Sequence, residues 1–169
     1  MPPPFTRAAP LGLSMRPATD DDLPFLAALY ASTRAEEVAA TGWPEDIQRA
    51  FLQQQHEAQH SHYSRAYEGA EWLLLIHDGE AVGRLYLWEN EGDVRIVDIS
   101  LLPAARGRGW GAALLRDVQD DAAARGLSVS IHVEYMNPAR RLYDRLGFVE
   151  VADKGIYKLL RWAPLQPAD

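Results

Sequence analysis

Residues 101–115 read LLPAARGRGWGAALL, with Gly107, Gly109 and Gly111 in alternation, Arg106 and Arg108 among them, and Trp110 at the centre. The β-rich run VRIVDISLL precedes this stretch, and the helix-like WGAALLRDVQDDAAARG overlaps its end, stopping at Gly126. A loop that passes from a strand into a helix points unpaired backbone N–H groups outward, where the helix dipole adds partial positive charge. Together these make an anion site suited to phosphate. Glycine removes the Cβ atoms that would hold a phosphate away. Arg106 and Arg108 add charged donors. The stretch therefore reads as a pyrophosphate cradle within a strand–loop–helix unit.

The flanking sequence supplies the remaining elements. LSMRPAT reads as a first strand, and Thr19 offers an N-cap for a helix running to about Arg34, with Asp20, Asp21 and Asp22 in its first turn. TGWPEDIQRAFLQQQHEAQ reads as a second helix with Pro44 near its start. EWLLLIHDGEAVGRLYLWEN predicts a hairpin turning at His77-Asp78-Gly79, and residues 91–93 predict another turn. LSVSIHVEY alternates as a strand. NPARRLYDRLG predicts a short helix with Asn137 as N-cap, Pro138 at its first position and Gly147 at its end. FVEVADKGIYKLLRW closes the chain as a hairpin turning at residues 153–155.

The expected order is β α α β β β α β α β β. A strand–helix–strand unit around the glycine loop implies a parallel pair with a right-handed crossover, and the other strands pair as hairpins. The fold class is α/β: a mixed, mostly antiparallel sheet with a central parallel pair and helices on both faces. The expected boundaries are a mobile N-terminal arm over 1–12, one domain over 13–163 and a tail over 164–169.

Composition narrows the chemistry. The 169 residues include no cysteine, so disulfides, thiolate metal sites and a cysteine nucleophile are excluded. The net charge of −7 argues against general nucleic-acid binding. No run of about 18 apolar residues exists to span a membrane, and the proline-rich start lacks the apolar core of a signal peptide, so a cytoplasmic location is expected. Residues 1–90 hold 13 acids and 6 bases, and residues 91–169 hold 11 of each. All the net negative charge lies in the first half, which suits two ligands of different sign.

Three motif families use a glycine loop in this way. The phosphate-binding loop of nucleotide hydrolases needs a Lys-Ser or Lys-Thr pair, which the chain lacks. A dinucleotide-binding fingerprint fits Gly107, Gly109 and Ala112 with Glu134 downstream, but that fingerprint normally opens a long doubly wound sheet, and only 35 residues follow Glu134. The third fits best. Arg106, Gly109 and Gly111 match the R/Q-x-x-G-x-G/A signature of the GNAT superfamily of N-acetyltransferases. The segment Asn137 to Phe148 resembles that superfamily's second motif, and the order of elements resembles its fold from about Leu13 to Trp162.

The resemblance implies acetyl-CoA as acyl donor and an amine, on a small molecule or a protein, as acceptor. It implies that the backbone of Gly107, Arg108, Gly109, Trp110, Gly111 and Ala112, with Arg106, holds the pyrophosphate. Ile99, Ser100 and Leu101 would bond the pantetheine arm, and Asn137 would contact the cofactor further on. Trp110 is bulkier than the aliphatic residue usual at its position. Tyr143 matches the family's general acid. Glu134 and Asp98 are the candidates for general base, with deprotonation through water as the alternative to both.

Alternation places Ser128, Ser130, His132 and Glu134 on one face of their strand, and Asp98 with Ser100 on one face of theirs. Central parallel strands are usually apolar on both faces, so this polarity points to a cleft where the strands part. Trp43, Phe51, Tyr86 and Trp88 are candidates for lining the acceptor site, with core packing as the alternative. A non-catalytic acyl-CoA-binding or sensor module, and more remotely a nicotinamide-dependent oxidoreductase, are the competing function classes. A homodimer is left open.

HEAQH, residues 56–60, matches the HExxH zinc-protease pattern. On a helical wheel Ile47, Ala50, Phe51 and Ala58 form one apolar stripe, and His56 and His60 fall nearly opposite it. The expectation is that both histidines are solvated and that the chain holds no catalytic metal.

Overall fold

The computed structural model describes residues 2–166. Seven strands form one sheet in the order β1-β2-β3-β4-β5-β7-β6. They are β1 (Leu13–Pro17), β2 (Glu71–His77), β3 (Glu80–Asn90), β4 (Asp93–Leu101), β5 (Ser128–Glu134), β6 (Val149–Lys154) and β7 (Tyr157–Trp162). The helices are α1 (Leu23–Ala39), α2 (Glu45–Ala66), α3 (Trp110–Ala124) and α4 (Arg140–Arg145). Only β4 and β5 pair in parallel, and all other neighbours are antiparallel. This is the expected fold class and element order, and it excludes the doubly wound parallel sheet that the dinucleotide reading requires. Among the described residues no helix is long and apolar enough to cross a membrane.

The turn residues act as their sequence signals indicate. Asp78 and Gly79 take positive φ between β2 and β3, and Gly92 does so between β3 and β4. Helix boundaries shift from the sequence reading. Asp20–Asp22 form a separate 3-10 turn, capped where the Asp22 carboxylate accepts from the Thr19 N–H at 2.8 Å, and α1 then runs to Ala39. α4 begins at Arg140, two residues later than Pro138, because the Asn137 side chain accepts from the Ala139 N–H at 2.8 Å and holds a turn there.

The main core lies between the sheet and α3. Val94, Ile96, Val129, Ile131 and Val133 meet Leu114, Leu115, Val118 and Ala122. Tyr143 and Phe148 extend the same core beneath α4. α1 and α2 cover the opposite face, where Leu26, Leu74 and Tyr86 form a smaller cluster.

The N-terminal segment does not behave as a mobile arm. Residues Ala9–Leu11 form a 3-10 turn, and Ala8 is fully buried. Asp117 of α3, 1% exposed, accepts from the backbone N–H groups of Arg7 at 2.9 Å and Ala8 at 3.0 Å. Trp110 donates its indole N–H to the Leu11 carbonyl at 3.3 Å and packs on His77. A buried carboxylate and an indole thus pin the segment across α3. At the other end, the predicted tail lies outside the described residues from position 167 onward. Asp117→Ala leaves two N–H groups without their partner and should destabilise the protein by about 2 kcal/mol. Urea unfolding of the variant against wild type checks this.

Candidate active site

The site begins with a parting of strands. β4 pairs with β5 only from Asp93 to Ile96, opposite Ser128 to Ile131. Beyond that point each strand keeps its outer neighbour. Asp98–Leu101 stay paired with β3, and His132–Glu134 stay paired with β7. The physical cause lies in β4. Opposite β3 the register shifts between Tyr86 and Leu87, which face Asp98 and Ile96 and leave Val97 extra. Such a bulge bends and twists its strand. It also exchanges the faces. Val94 and Ile96 point toward α3, and after the bulge Asp98 and Ser100 share the α1–α2 face with Arg84 and Tyr86. The edge of β4 that turns toward β5 is therefore free of a strand over Val97–Leu101, which includes Ile99, Ser100 and Leu101.

The glycine loop sits at the end of that open edge. Gly107 and Gly109 both have φ +78°, and a Cβ at either position meets nothing within 4 Å, so their backbones are open to a ligand. The Arg106 N–H is used by the Pro103 carbonyl, and the Ala113 N–H by that of Gly109. The six N–H groups between them, Gly107 to Ala112, find no acceptor among the described residues. They crown the N-terminus of the 15-residue α3. The Arg108 guanidinium lies over the Trp110 ring at 5.0 Å, and Arg106 Nε donates to the Leu101 carbonyl at 3.3 Å. Trp110 itself is 3% exposed. Its side chain turns into the core to hold the N-terminal segment, which explains a large residue here and leaves only its backbone to the loop. The donors and the missing Cβ atoms fit the diphosphate of a nucleotide cofactor.

A Cβ added at Gly111 would meet Leu142 of α4 at 3.8 Å, so the loop and α4 sit side by side. From α4, Tyr143 joins the core cluster against which Ile99 and Leu101 of the open edge pack. It is 4% exposed, edge-on to Phe148 with ring centroids 5.8 Å apart. Burial, and secondarily the Asp98 charge, push its phenol up to about 12. Near neutral pH it is protonated.

The two base candidates fall in different places. Asp98 lies within electrostatic reach of Tyr143. Its carboxylate accepts from Arg84 Nη2 at 2.6 Å, from the Ser100 hydroxyl at 2.5 Å and from the Tyr63 hydroxyl at 3.4 Å. Glu134, at the far end of β5, accepts instead from Arg34 of α1 at 3.0 Å. Asn137 stands in the turn before α4, its side chain engaged by Ala139. The polar face of β5 is only partly a cleft lining. Asp93 accepts from both Ser128 and Ser130, and Arg95 donates to Ser130 at 2.8 Å and contacts His132 at 3.2 Å. The two serines are thus satisfied across the paired half of the strands. Only His132 and Glu134 lie beyond it.

The helical wheel misplaced α2. His56 is 4% exposed and is the buried residue of that helix, while Ile47 and Phe51 are exposed. The reason is the sheet face beneath. Arg84 and Asp98 present charge there, so α2 lays His56, Gln59 and Tyr63 against it and leaves its apolar stripe outward. On that stripe Trp43 and Phe51 pack edge to face at 5.3 Å. Tyr86 belongs to the core, and Trp88 packs on Tyr67 with its indole N–H bonded to the Glu68 carbonyl at 3.1 Å. Sequence reading missed Arg84, Gln59 and Tyr63. An arginine inside the apolar run VGRLYLW was the available signal. No group of three or more His, Asp or Glu side chains among the described residues could hold a metal.

Comparison with known proteins agrees with this fold. A model of the acetyltransferase (GNAT) family matches residues 33–148. The chain is 37% identical over 99 residues to mycothiol acetyltransferase of Beutenbergia cavernae, covering 52% of this chain and 33% of that protein. A second curated relative, from Bacillus subtilis, is 31% identical over 81 residues, and 53% of its length is covered. The chain thus spans a third to about a half of the curated relatives it matches. Among solved structures it resembles the PaiA N-acetyltransferase of Thermoplasma acidophilum in complex with coenzyme A, with TM-score 0.68 and 14% identity over 90% of this chain and 99% of that one. It also resembles the ribosomal-protein-S18-alanine N-acetyltransferase of Escherichia coli, with TM-score 0.53 and 19% identity over 88% and 90% of the two chains. At these identities the structures support the fold alone. The family match spans the glycine loop, the parted strands and α4, and on it the chain belongs to the GNAT family of acetyltransferases.

Proposed function

We propose that the protein transfers an acetyl group from acetyl-CoA to a primary amine by direct attack. One observation carries this reading: the open edge of β4 leads from six unpartnered N–H groups to a buried, protonated tyrosine. The loop from Gly107 to Ala112, with Arg106 and Arg108, holds the pyrophosphate, and the free edge at Ile99, Ser100 and Leu101 bonds the pantetheine amides. Asn137 contacts the same arm beyond β5. Bound acetyl-CoA supplies an activated thioester carbonyl.

The residues around it manage charge and protons. The acceptor amine must lose a proton before it attacks, and the departing sulfur must gain one. Tyr143 holds that second proton at its phenol oxygen. A free thiol has a pKa of about 8.5, below that of the raised phenol, so Tyr143 donates a hydrogen bond to the sulfur as charge builds on it, and the proton released by the amine replaces the one the sulfur carries away as the thiol. The Asp98 charge acts on Tyr143, whereas Glu134 is engaged by Arg34, so Asp98 is the group assigned to the amine. It attracts the incoming ammonium and passes the proton outward through its hydrogen-bonded neighbours or water. The acidic first half of the chain favours approach of a cation.

Thiol release from acetyl-CoA, followed with and without a panel of primary amines, tests the proposal. Release that depends on the amine, with an acetylated product, is expected. Tight CoA binding with no amine-dependent release would instead identify an acyl-CoA-binding module.

A further inference from the structure

The cluster under α2 contains more buried charge than the proton transfers use. Arg84 lies opposite Ser100 in the β3–β4 ladder and is 3% exposed. Its Nη2 donates to Asp98 and, at 2.8 Å, to Gln59, yet its Nε–H is buried with no acceptor. His56 lies close enough for the Arg84 charge to act on it, and neither of its ring nitrogens has a partner. Burial first, and Arg84 second, hold the imidazole below its ordinary pKa, so near neutral pH it offers one N–H and one lone pair. Two donors, one from each side chain, are thus buried and unmatched. Native proteins keep few such groups, and those they keep call for a reason.

The neighbouring charges supply one. Arg84 and Asp98 set a cation and an anion 2.6 Å apart beside the open strand edge. That arrangement is complementary to a small molecule bearing an ammonium and a carboxylate on one carbon. The ammonium falls to Asp98, whose charge reaches Tyr143, and the carboxylate to the free donors of Arg84 and His56. Charged, forked recognition of a carboxylate is the particular strength of arginine. Access requires α2 to tilt outward. The motion breaks the ring contacts of Tyr63 with Tyr86 at 6.2 Å and of His56 with Tyr30 at 5.9 Å, while the outward-facing Ile47 and Phe51 add nothing against it.

We propose that the acceptor is a free α-amino acid, with its carboxylate bound by Arg84 and His56 and its amine by Asp98. This rests on the acetyl-transfer reading above and makes it more specific. The test uses the full chain with acetyl-CoA and four acceptor sets: the common α-amino acids, their C-terminal amides, the corresponding decarboxylated amines, and alanine-led tetrapeptides. The best amino acid is expected to exceed its own amide and its own amine by roughly ten- to a hundredfold in kcat/KM, the worth of hydrogen bonds to a charged group. His56→Leu should lower the acid-to-amide ratio, and His56→Gln, which retains an N–H, should lower it less. Amides, amines or tetrapeptides that match or exceed the acids overturn the inference and leave acetyl transfer standing. An unchanged ratio in folded His56→Leu overturns the part given to His56. No transfer to any amine overturns both readings together.

Discussion

Tyr143→Phe is expected to lower turnover by about 10²–10⁴, the usual contribution of a positioned proton donor. The substitution removes only the hydroxyl. The ring stays in the core beside Phe148, edge-on at 5.8 Å, so folding and CoA affinity should change little. The pH profile adds a second readout. With the phenol pushed up to about 12, turnover in the wild type should show no falling limb from Tyr143 below pH about 10. The rising limb reports loss of a proton from the acceptor amine and should persist in the variant. Steady-state kinetics beside a CoA titration decide the matter. Equal turnover in the two proteins would remove the acid role, and lost CoA affinity with turnover intact would make Tyr143 a binding residue.

Gly109→Asp is expected to weaken CoA binding by roughly ten- to a hundredfold, as carboxylate and pyrophosphate repel where donors had faced the ligand. Gly109 holds φ +78° at the start of α3, so any side chain there carries some backbone strain. Gly109→Asn separates the two effects, because asparagine tolerates the left-handed conformation and adds no charge. Calorimetry should show a much larger loss for aspartate than for asparagine. Equal losses would mean that shape, not charge, sets the affinity of the loop.

The fold was legible where the backbone is punctuated. Asp78-Gly79, Gly92, Gly126 and Gly147 mark turns and helix ends that no side-chain packing overrides. Three features were not legible, each because a distant partner decides it. Asp117 looks like part of a solvated helix face in RDVQDD, and it is buried because the N–H groups of Arg7 and Ala8 come to it from over a hundred residues away. α2 carries an apolar stripe that a wheel points inward, and the charged sheet face at Arg84 and Asp98 turns it outward. The bulge at Val97 leaves no mark in VRIVDISLL. Strict alternation there would place Asp98 with the core residues Val94 and Ile96, whereas the bulge delivers it to the opposite face beside Tyr86. The glycine loop, Tyr143 and Asp98 were all visible as candidates. What the sequence lacks is the choice between Asp98 and Glu134, since Arg34 reaches Glu134 from a hundred residues away and Arg84 meets Asp98 only through the shifted register of β3 and β4.

The central claim is that β4 and β5 part to admit an acyl-CoA whose sulfur arrives beside Tyr143. A crystal structure of the full chain soaked with CoA tests it most directly. The account predicts the pyrophosphate on the N–H groups of Gly107 to Ala112, the pantetheine along Ile99 to Leu101, and the sulfur within hydrogen-bonding reach of the Tyr143 hydroxyl. CoA bound elsewhere, or a pantetheine arm that leaves the gap between β4 and β5 empty, would contradict it.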